Sequence, residues 1–381
     1  MKILFITSYP LEYNTSANIR NLGLLGGLLK NGNEVSTLSP YPNNRSFFSG
    51  KLSSLPFKKR YWIGGEGDNE DSAGTSSNKR PGKIKKILEG AYSSIAVYDR
   101  RSWLKRLITN NSVDEDFDIV ISSSDPKSAH VLAEKLIKVR PTVCKRWIQY
   151  WGDPFIGDIT INSSLNSVLI KREEKRILGK SSKSVFVSPF TAEDIKCRLP
   201  QLKDKIEFIP IPYIEKKNRV ELQEGTLISY LGNYTVSRRD IRPLVNAIND
   251  LQLPAAIVGD SDIKIEENEH LIVRERMNGS ELEEITNKTR VFVCVCNTQG
   301  TQIPGKVYHY VDTGKPILII LDGDYSEQMK DFFESFKRFY LCNNNEKDIK
   351  ETLELINKEN KTFDVPDSLK PEKIAEKFVS F

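Results

Sequence analysis

"GTQIPGKVYHYVDTGKPILII", Gly300 to Ile320, joins a glycine–proline turn, a lysine, a tyrosine-bearing helical turn and a second glycine to an apolar run. Pro316–Leu321 is short and apolar enough for a buried strand, and Gly314 is placed to end the helix before it. Upstream, Ile303-Pro304-Gly305-Lys306 is expected to be a loop turning into a helix N-terminus. Backbone N–H groups there lack intrahelical partners and favour an anion. The same residues serve equally well in an ordinary loop–helix–loop–strand unit. The rest of the chain has to decide between the two.

Outward from this stretch, strands alternate with helices twice over. The first series begins with a strand at Lys2–Thr7, a helix from Ser16 and a strand at Glu34–Leu38. It resumes at Asp118–Ser122 and ends near Ile209. The second begins at Thr226–Leu231 and includes Ala255–Gly259, His270–Arg274 and Arg290–Cys296. Alternation in two halves predicts an α/β protein with two doubly wound, Rossmann-like parallel sheets facing across a cleft. Residues 1–213 form the expected first domain and 214–365 the second, with a final helix in 366–381 that crosses back to the first. "IPIPYIEKKNRVELQEG" (Ile209–Gly225) reads as the connector. Residues 51–110 read as an insertion, and the Gly/Ser/Asn/Asp-rich Gly64–Gly82 within it is expected to be a mobile loop.

At 381 residues the chain is long enough for two or three domains of ~150 residues. Its 39% hydrophobic and 28% charged residues suit a soluble globular protein. The first residues lead straight into turn chemistry, unlike a signal peptide, and no apolar run approaches a membrane span. Five scattered cysteines and three histidines give no metal or disulfide spacing, which together points to the cytoplasm. Net charge is +5, yet Lys79–Arg106 carries nine Lys/Arg against Glu89 and Asp99. With Tyr92, Tyr98, Trp103, Leu104, Leu107 and Ile108 interleaved, this window suits an anionic membrane surface or, less well, nucleic acid. A solvated helical face would look the same.

Several stretches carry a family resemblance. "MKILFITSYPLEYNTSANIRNLGLLGGLLKNGNEVSTLSP" from Met1, "WIQYWGDP" (Trp147–Pro154), "VFVSPFTAEDI" (Val185–Ile195), "ISYLGNYTVSRRDIRPL" (Ile228–Leu244) and "IPGKVYHYVDTGKPIL" resemble segments of GT-B glycosyltransferases. The likeness is to the retaining transferases of bacterial capsule and O-antigen synthesis, and it covers nearly all the chain outside the insertion. It implies transfer of a sugar from a nucleotide-sugar donor to a lipid-linked or glycan acceptor, by an enzyme peripheral to the inner face of the membrane.

On that reading each motif has a physical use. A donor diphosphate brings negative charge that grows on the leaving group. Gly232, Arg238, Arg239, Pro304, Gly305 and Lys306 are the expected diphosphate ligands: glycines for close backbone approach, arginines for paired hydrogen bonds. A surface loop would also use Arg238 and Arg239. No metal and no cofactor are expected, since cations and a helix terminus supply the charge. The family's two glutamates fall, by register with Gly314-Lys315-Pro316, on Thr301 and His309, which leaves retention or inversion open. His309 is a candidate for a sugar hydroxyl. In the first domain Asp153 is a candidate base, an acceptor orienter or a turn residue before Pro154. Asn14, Ser16, Arg20 and Ser188, near strand ends, are expected at the acceptor, one residue of the Asn14–Asn18 group capping the first helix. Two alternatives share the fold: a nucleotide-sugar epimerase, poorly served by three histidines, and a non-catalytic partner subunit. A dehydrogenase is disfavoured because no G-x-G-x-x-G follows the first strand.

Overall fold

The computed structural model describes residues 1–42, 52–64, 97–157, 167–214, 225–277 and 280–381, and the structural statements below concern these. The chain divides into two compact units, Met1–Ile214 with Pro371–Phe381, and Glu215–Lys370.

In the first unit the chain runs β1 (Lys2–Ile6), α1 (Ser16–Lys30), β2 (Glu34–Pro40), β3 (Lys59–Ile63), β4 (Phe117–Ser123), α2 (Ser128–Val139), β5 (Cys144–Trp151), α3 (Ser167–Lys180), β6 (Lys183–Phe186), α4 (Pro189–Arg198) and β7 (Ile206–Phe208). The second unit contains β8 (Leu227–Leu231), α5 (Arg242–Asp250), β9 (Ala255–Val258), β10 (Leu271–Arg274), α6 (Ser280–Lys288), β11 (Thr289–Val295), α7 (Lys306–His309), β12 (Ile317–Leu321), α8 (Ser326–Glu334), β13 (Tyr340–Asn343) and α9 (Glu346–Glu359). α10 (Pro371–Val379) belongs to the first unit.

Both sheets are parallel throughout, in the orders β3-β2-β1-β4-β5-β6-β7 and β10-β9-β8-β11-β12-β13. A parallel strand covered on both faces is mostly apolar, and Ile317–Leu321 is buried at every position. Strand order reverses between β1 and β4 and again between β8 and β11. Crevices outside the strand ends at such points are where this architecture binds ligands.

Two expectations about the insertion need correcting. Lys59–Ile63 is a regular edge strand, paired with β2 from Ser36↔Lys59 to Pro40↔Ile63. The stretch Arg100–Leu107 is a 3-10 helix packed on α2, with Leu104 and Ile108 buried in the core; only Trp103 of its large apolar residues is well exposed. Leu104 and Ile108 therefore cannot dip into lipid. The mobile loop expected after Gly64, and Lys79, Arg80, Lys83, Lys85 and Lys86, lie outside the described residues. Among those described, no helix is long and apolar enough to cross a membrane.

α1 shows how sequence sets packing. A Cβ on Gly23 would lie 2.4 Å from the Pro212 carbonyl oxygen, and one on Gly27 would lie 2.1 Å from that of Pro371. These glycines let the connector and α10 lie directly on α1. Ionic and polar contacts finish the seam: Lys30 pairs with Glu372 at 3.2 Å, and Asn31 Nδ2 donates to the Glu372 carbonyl at 2.8 Å. Phe378 of α10 meets the Tyr150 ring edge-on at 4.9 Å.

Gly26, one position away, has open space where its Cβ would be. Gly26→Ala is expected to stabilise the protein by about 0.5–1 kcal/mol through helix propensity. Gly27→Ala should cost about 1–3 kcal/mol by forcing α10 off α1. Urea unfolding of the two variants checks the pair; equal effects would show that α10 is not held this closely.

Candidate functional site

The crevice between β8 and β11 collects positive charge. β8 ends at Leu231, and Gly232 follows, its N–H donating to the Val258 carbonyl at 2.8 Å. Lys306, the first residue of α7, reaches back so that its Nζ would lie 3.5 Å from a Cβ on Gly232. Arg239 joins from the loop after β8, donating from Nε to Asn297 Oδ1 at 2.7 Å. Asn297 stands two residues beyond β11, is 3% exposed, and donates to the Gln302 carbonyl at 3.2 Å. One asparagine thus orients the guanidinium and ties it to the loop that leads into Lys306.

Burial pulls the Lys306 amine down to about 8. Cys294 beneath it would offset this only as a thiolate, but burial pushes that thiol up to about 12, so it is uncharged at neutral pH. Arg239 and Arg276 add repulsion. Among the described residues no carboxylate lies within ion-pair distance of Lys306, Arg239 or Arg276. Lys306 and Arg239 are half-buried and Arg276 is exposed, and partly desolvated cations without a carboxylate partner favour an anion. The arrangement can hold one.

Not every expected ligand joins this cluster. Arg238 is exposed, and its carbonyl accepts from Thr298 N–H at 2.9 Å. Pro304 and Gly305 shape the turn, their carbonyls accepting from Val307 and Tyr308 N–H at 3.1 and 3.2 Å. Helix α7 is only four residues long, so its dipole is small and Lys306 itself supplies most of the charge. The close backbone approach falls at Gly259, where a Cβ would sit 2.0 Å from the Gly232 carbonyl oxygen. Gly232 has room for a methyl group, which would point towards Lys306. Sequence reasoning missed Asn297, Gly259 and Arg276. Gly259 follows β9 directly, and Asn297 and Arg276 each stand two residues beyond a strand end, a signal that was available.

In the first unit Asp153 lies just beyond β5, partly buried. Asn14 and Ser16 are exposed, and Thr15 between them caps α1, accepting from Asn18 N–H at 3.1 Å. Arg20 does not face solvent: it is 5% exposed, 4.8 Å over the Tyr150 ring, and donates to Ser123 Oγ at 3.4 Å. Ser188 is buried as the N-cap of α4, accepting from Thr191 N–H at 3.4 Å, a structural use of that oxygen. His309 ends α7 and Thr301 lies in the loop before it, both partly buried. Among the described residues no group of three His, Cys, Asp or Glu is placed to hold a metal ion.

No protein-family model matches the chain, and no curated protein matches it in sequence. Solved structures do. The catalytic domain of starch synthase IV from Arabidopsis thaliana, bound to ADP and acarbose, superposes with a TM-score of 0.58 at 10% identity, over 98% of this chain and 95% of that one. The fold is GT-B. Sucrose-phosphate synthase from Thermosynechococcus elongatus (TM-score 0.49, 12% identity, 100% of this chain and 94% of that one) is also similar. So is a putative UDP-N-acetylglucosamine 2-epimerase from Listeria monocytogenes (TM-score 0.49, 11% identity, 100% and 95%). These last two lie too low to add to the fold assignment.

The sign of the Lys306 effect on stability follows from its direction. Its folded value, about 8, lies below the ordinary 10.5. Below pH 8 the buried charge is present and costs stability; between 8 and 10.5 the folded state gives up the proton first, and stability rises with pH. Relative to Lys306→Met, the wild type should gain about 2–3 kcal/mol across that window. Parallel urea-unfolding curves for the two proteins, leaving no pH-dependent difference, would place Lys306 in solvent.

Proposed function

We propose that the chain is a glycosyltransferase that takes a sugar from a nucleotide-sugar donor, with the second unit holding the donor diphosphate. The observation that carries this reading is Lys306, an enclosed amine flanked by Arg239 and Arg276 with no carboxylate at ion-pair distance among the described residues. A diphosphate would supply the missing negative charge. The ADP held by the starch synthase domain is such a ligand on a similar fold. During transfer, charge builds on the departing diphosphate, and cations already in place stabilise it without reorganisation. Metal-independent transfer is part of the proposal, because these side chains take over the electrostatic work.

The acceptor is assigned to the first unit. Asp153, beyond the end of β5, either accepts the proton of an acceptor hydroxyl or orients the acceptor. His309, on α7, is assigned a contact with the transferred sugar. With Thr301 and His309 at the positions of the expected glutamates, the stereochemical outcome follows from neither. An epimerase is less well supported: of the three histidines, His130 is locked in the first unit's core, tilted against the Trp151 ring at 4.0 Å and hydrogen-bonded to Ser122 at 2.8 Å.

A thermal-shift panel of nucleoside diphosphates tests the donor site, since a ligand at a hundredfold its Kd adds ~2.7 kcal/mol. Arg239→Ala and Lys306→Ala are expected to weaken the best diphosphate by about 1.5–3 kcal/mol each while sparing the bare nucleoside. Asp153→Asn should leave diphosphate binding intact and lower only sugar transfer, read in a radiolabelled-sugar assay. Equal losses for diphosphate and nucleoside would overturn the assignment.

We further propose that the acceptor is a lipid-linked glycan of bacterial surface polysaccharide synthesis, met at the inner face of the membrane. The basic window supports this as a property of the sequence. Arg101 is excluded from the docking residues, because it stacks 4.0 Å over the Tyr9 ring. Lys83, Lys85 and Lys86 are expected to contribute about 1 kcal/mol each at an anionic surface. Their replacement by Gln should release the protein from phosphatidylglycerol vesicles in sedimentation, with donor binding unchanged. Identical sedimentation of both proteins would point to a soluble acceptor.

A further inference from the structure

The segment that carries Lys306 is too short to hold its own shape. α7 is a single turn, and the 3-10 turn that follows, Val311–Thr313, ends at Gly314 with φ 70°. Carbonyls on either side of that glycine, those of Val311 and Lys315, both accept from one atom. It is Nη2 of Arg338, at 3.2 and 3.0 Å. Arg338 lies just before β13 and is 1% exposed. Its guanidinium sits 4.9 Å over the Phe363 ring, and Phe363 N–H donates to the Gly314 carbonyl at 2.9 Å. Phe363 leans edge-on against Tyr340 at 5.7 Å, whose hydroxyl donates to Glu359 at 2.6 Å. On the other side of the segment Tyr310 stacks on Phe292 of β11 at 4.0 Å.

Arg338 is a costly way to fill this space. Among the described residues it has no carboxylate within ion-pair distance, and its Nε and Nη1 are buried without a hydrogen-bond partner. Burial pulls it down to about 10, with Asp312 working against that shift, so it is still charged at neutral pH. Well-packed apolar residues often replace buried charges with no loss of stability. Stability is therefore a poor reason for this arginine. What an apolar residue would not provide is a donor to two carbonyls that straddle a turn.

We infer that Arg338 is a positioning residue for the cation site: by clamping the Val311 and Lys315 carbonyls, it fixes the segment that sets Lys306 against Gly232 and Arg239. The role of the site rests on the donor reading above; the placement of Lys306 can be measured without any ligand.

The experiment labels lysine amines by reductive methylation with ¹³C and follows Lys306 by NMR titration, the signal being assigned with Lys306→Arg. Inorganic pyrophosphate binding is measured on the same proteins. In Arg338→Met the Lys306 midpoint is expected to rise by about one unit or more as the amine relaxes towards solvent. Pyrophosphate Kd should rise about tenfold or more. Arg338→Lys keeps a donor and should stay within about threefold of wild type. If Arg338→Met does not fold, the lysine variant and the wild type still give the comparison, with a smaller midpoint shift expected. An unchanged midpoint and unchanged pyrophosphate Kd in every folded variant, whatever the melting temperature does, overturns the inference. If the midpoint moves but the wild type binds neither pyrophosphate nor any nucleoside diphosphate, positioning by Arg338 stands and the donor assignment falls.

Discussion

A parallel sheet is covered on both faces, so its strands have no surface left on which to do chemistry. β12, buried from Ile317 to Leu321, shows the constraint at full strength. Groups that must meet a ligand go to the loops at the carboxyl ends, and the crevices there open where strand order reverses. In the second unit that place is between β8 and β11. Gly232 leaves one strand there, Asn297 follows the other, and Arg239 bridges to Asn297. The chemistry of the crevice is a consequence of what the sheet cannot accommodate.

Charge then decides what the crevice is for. Elsewhere on the protein cations meet carboxylates: Arg198 pairs with Glu174 at 2.6 Å, and Arg176 with both Glu134 and Glu173. The Lys306 cluster breaks that habit. A thiol that stays protonated lies beneath the lysine, an asparagine rather than an acid holds the arginine, and the turn behind it is pinned by another buried arginine. Neutral partners orient the cations without quenching them. On the function proposed above, the charge left over is what a donor diphosphate would meet.

Much of this was legible in the sequence. The strand after Gly314 and the two alternating series were readable because buried parallel strands are short apolar runs bounded by turn residues. Lys306 stood out because Pro304 and Gly305 precede it at a loop–helix junction, and Arg239 because it follows the end of β8. β3 was hidden by its edge position: Lys59–Ile63 mixes exposed, partly buried and buried residues inside the stretch read as an insertion. The inward packing of the basic window's aliphatic residues was hidden for a physical reason. A 3-10 helix repeats every three residues, so Leu104 and Leu107 share an inward side while Trp103 does not. Arg20, in α1, and Ser188, after β6, were expected at the acceptor, and position alone does not show that the first packs over Tyr150 and the second caps α4. α9 carried its signal openly, with Ile349, Leu353 and Ile356 at helical spacing and buried. It belonged among the expected elements.

The seam between α1 and α10 bears on how the protein is made. The two helices touch through Gly27 and Pro371, more than three hundred positions apart, and all of the second unit is encoded between them. During synthesis α1 emerges early, and the Gly27 side that α10 covers waits while an entire second sheet leaves the ribosome. The second unit has its strands and helices in one continuous stretch, and it can complete itself first. Order of translation and order of completion are thus reversed: the unit that starts the chain is the last to be finished.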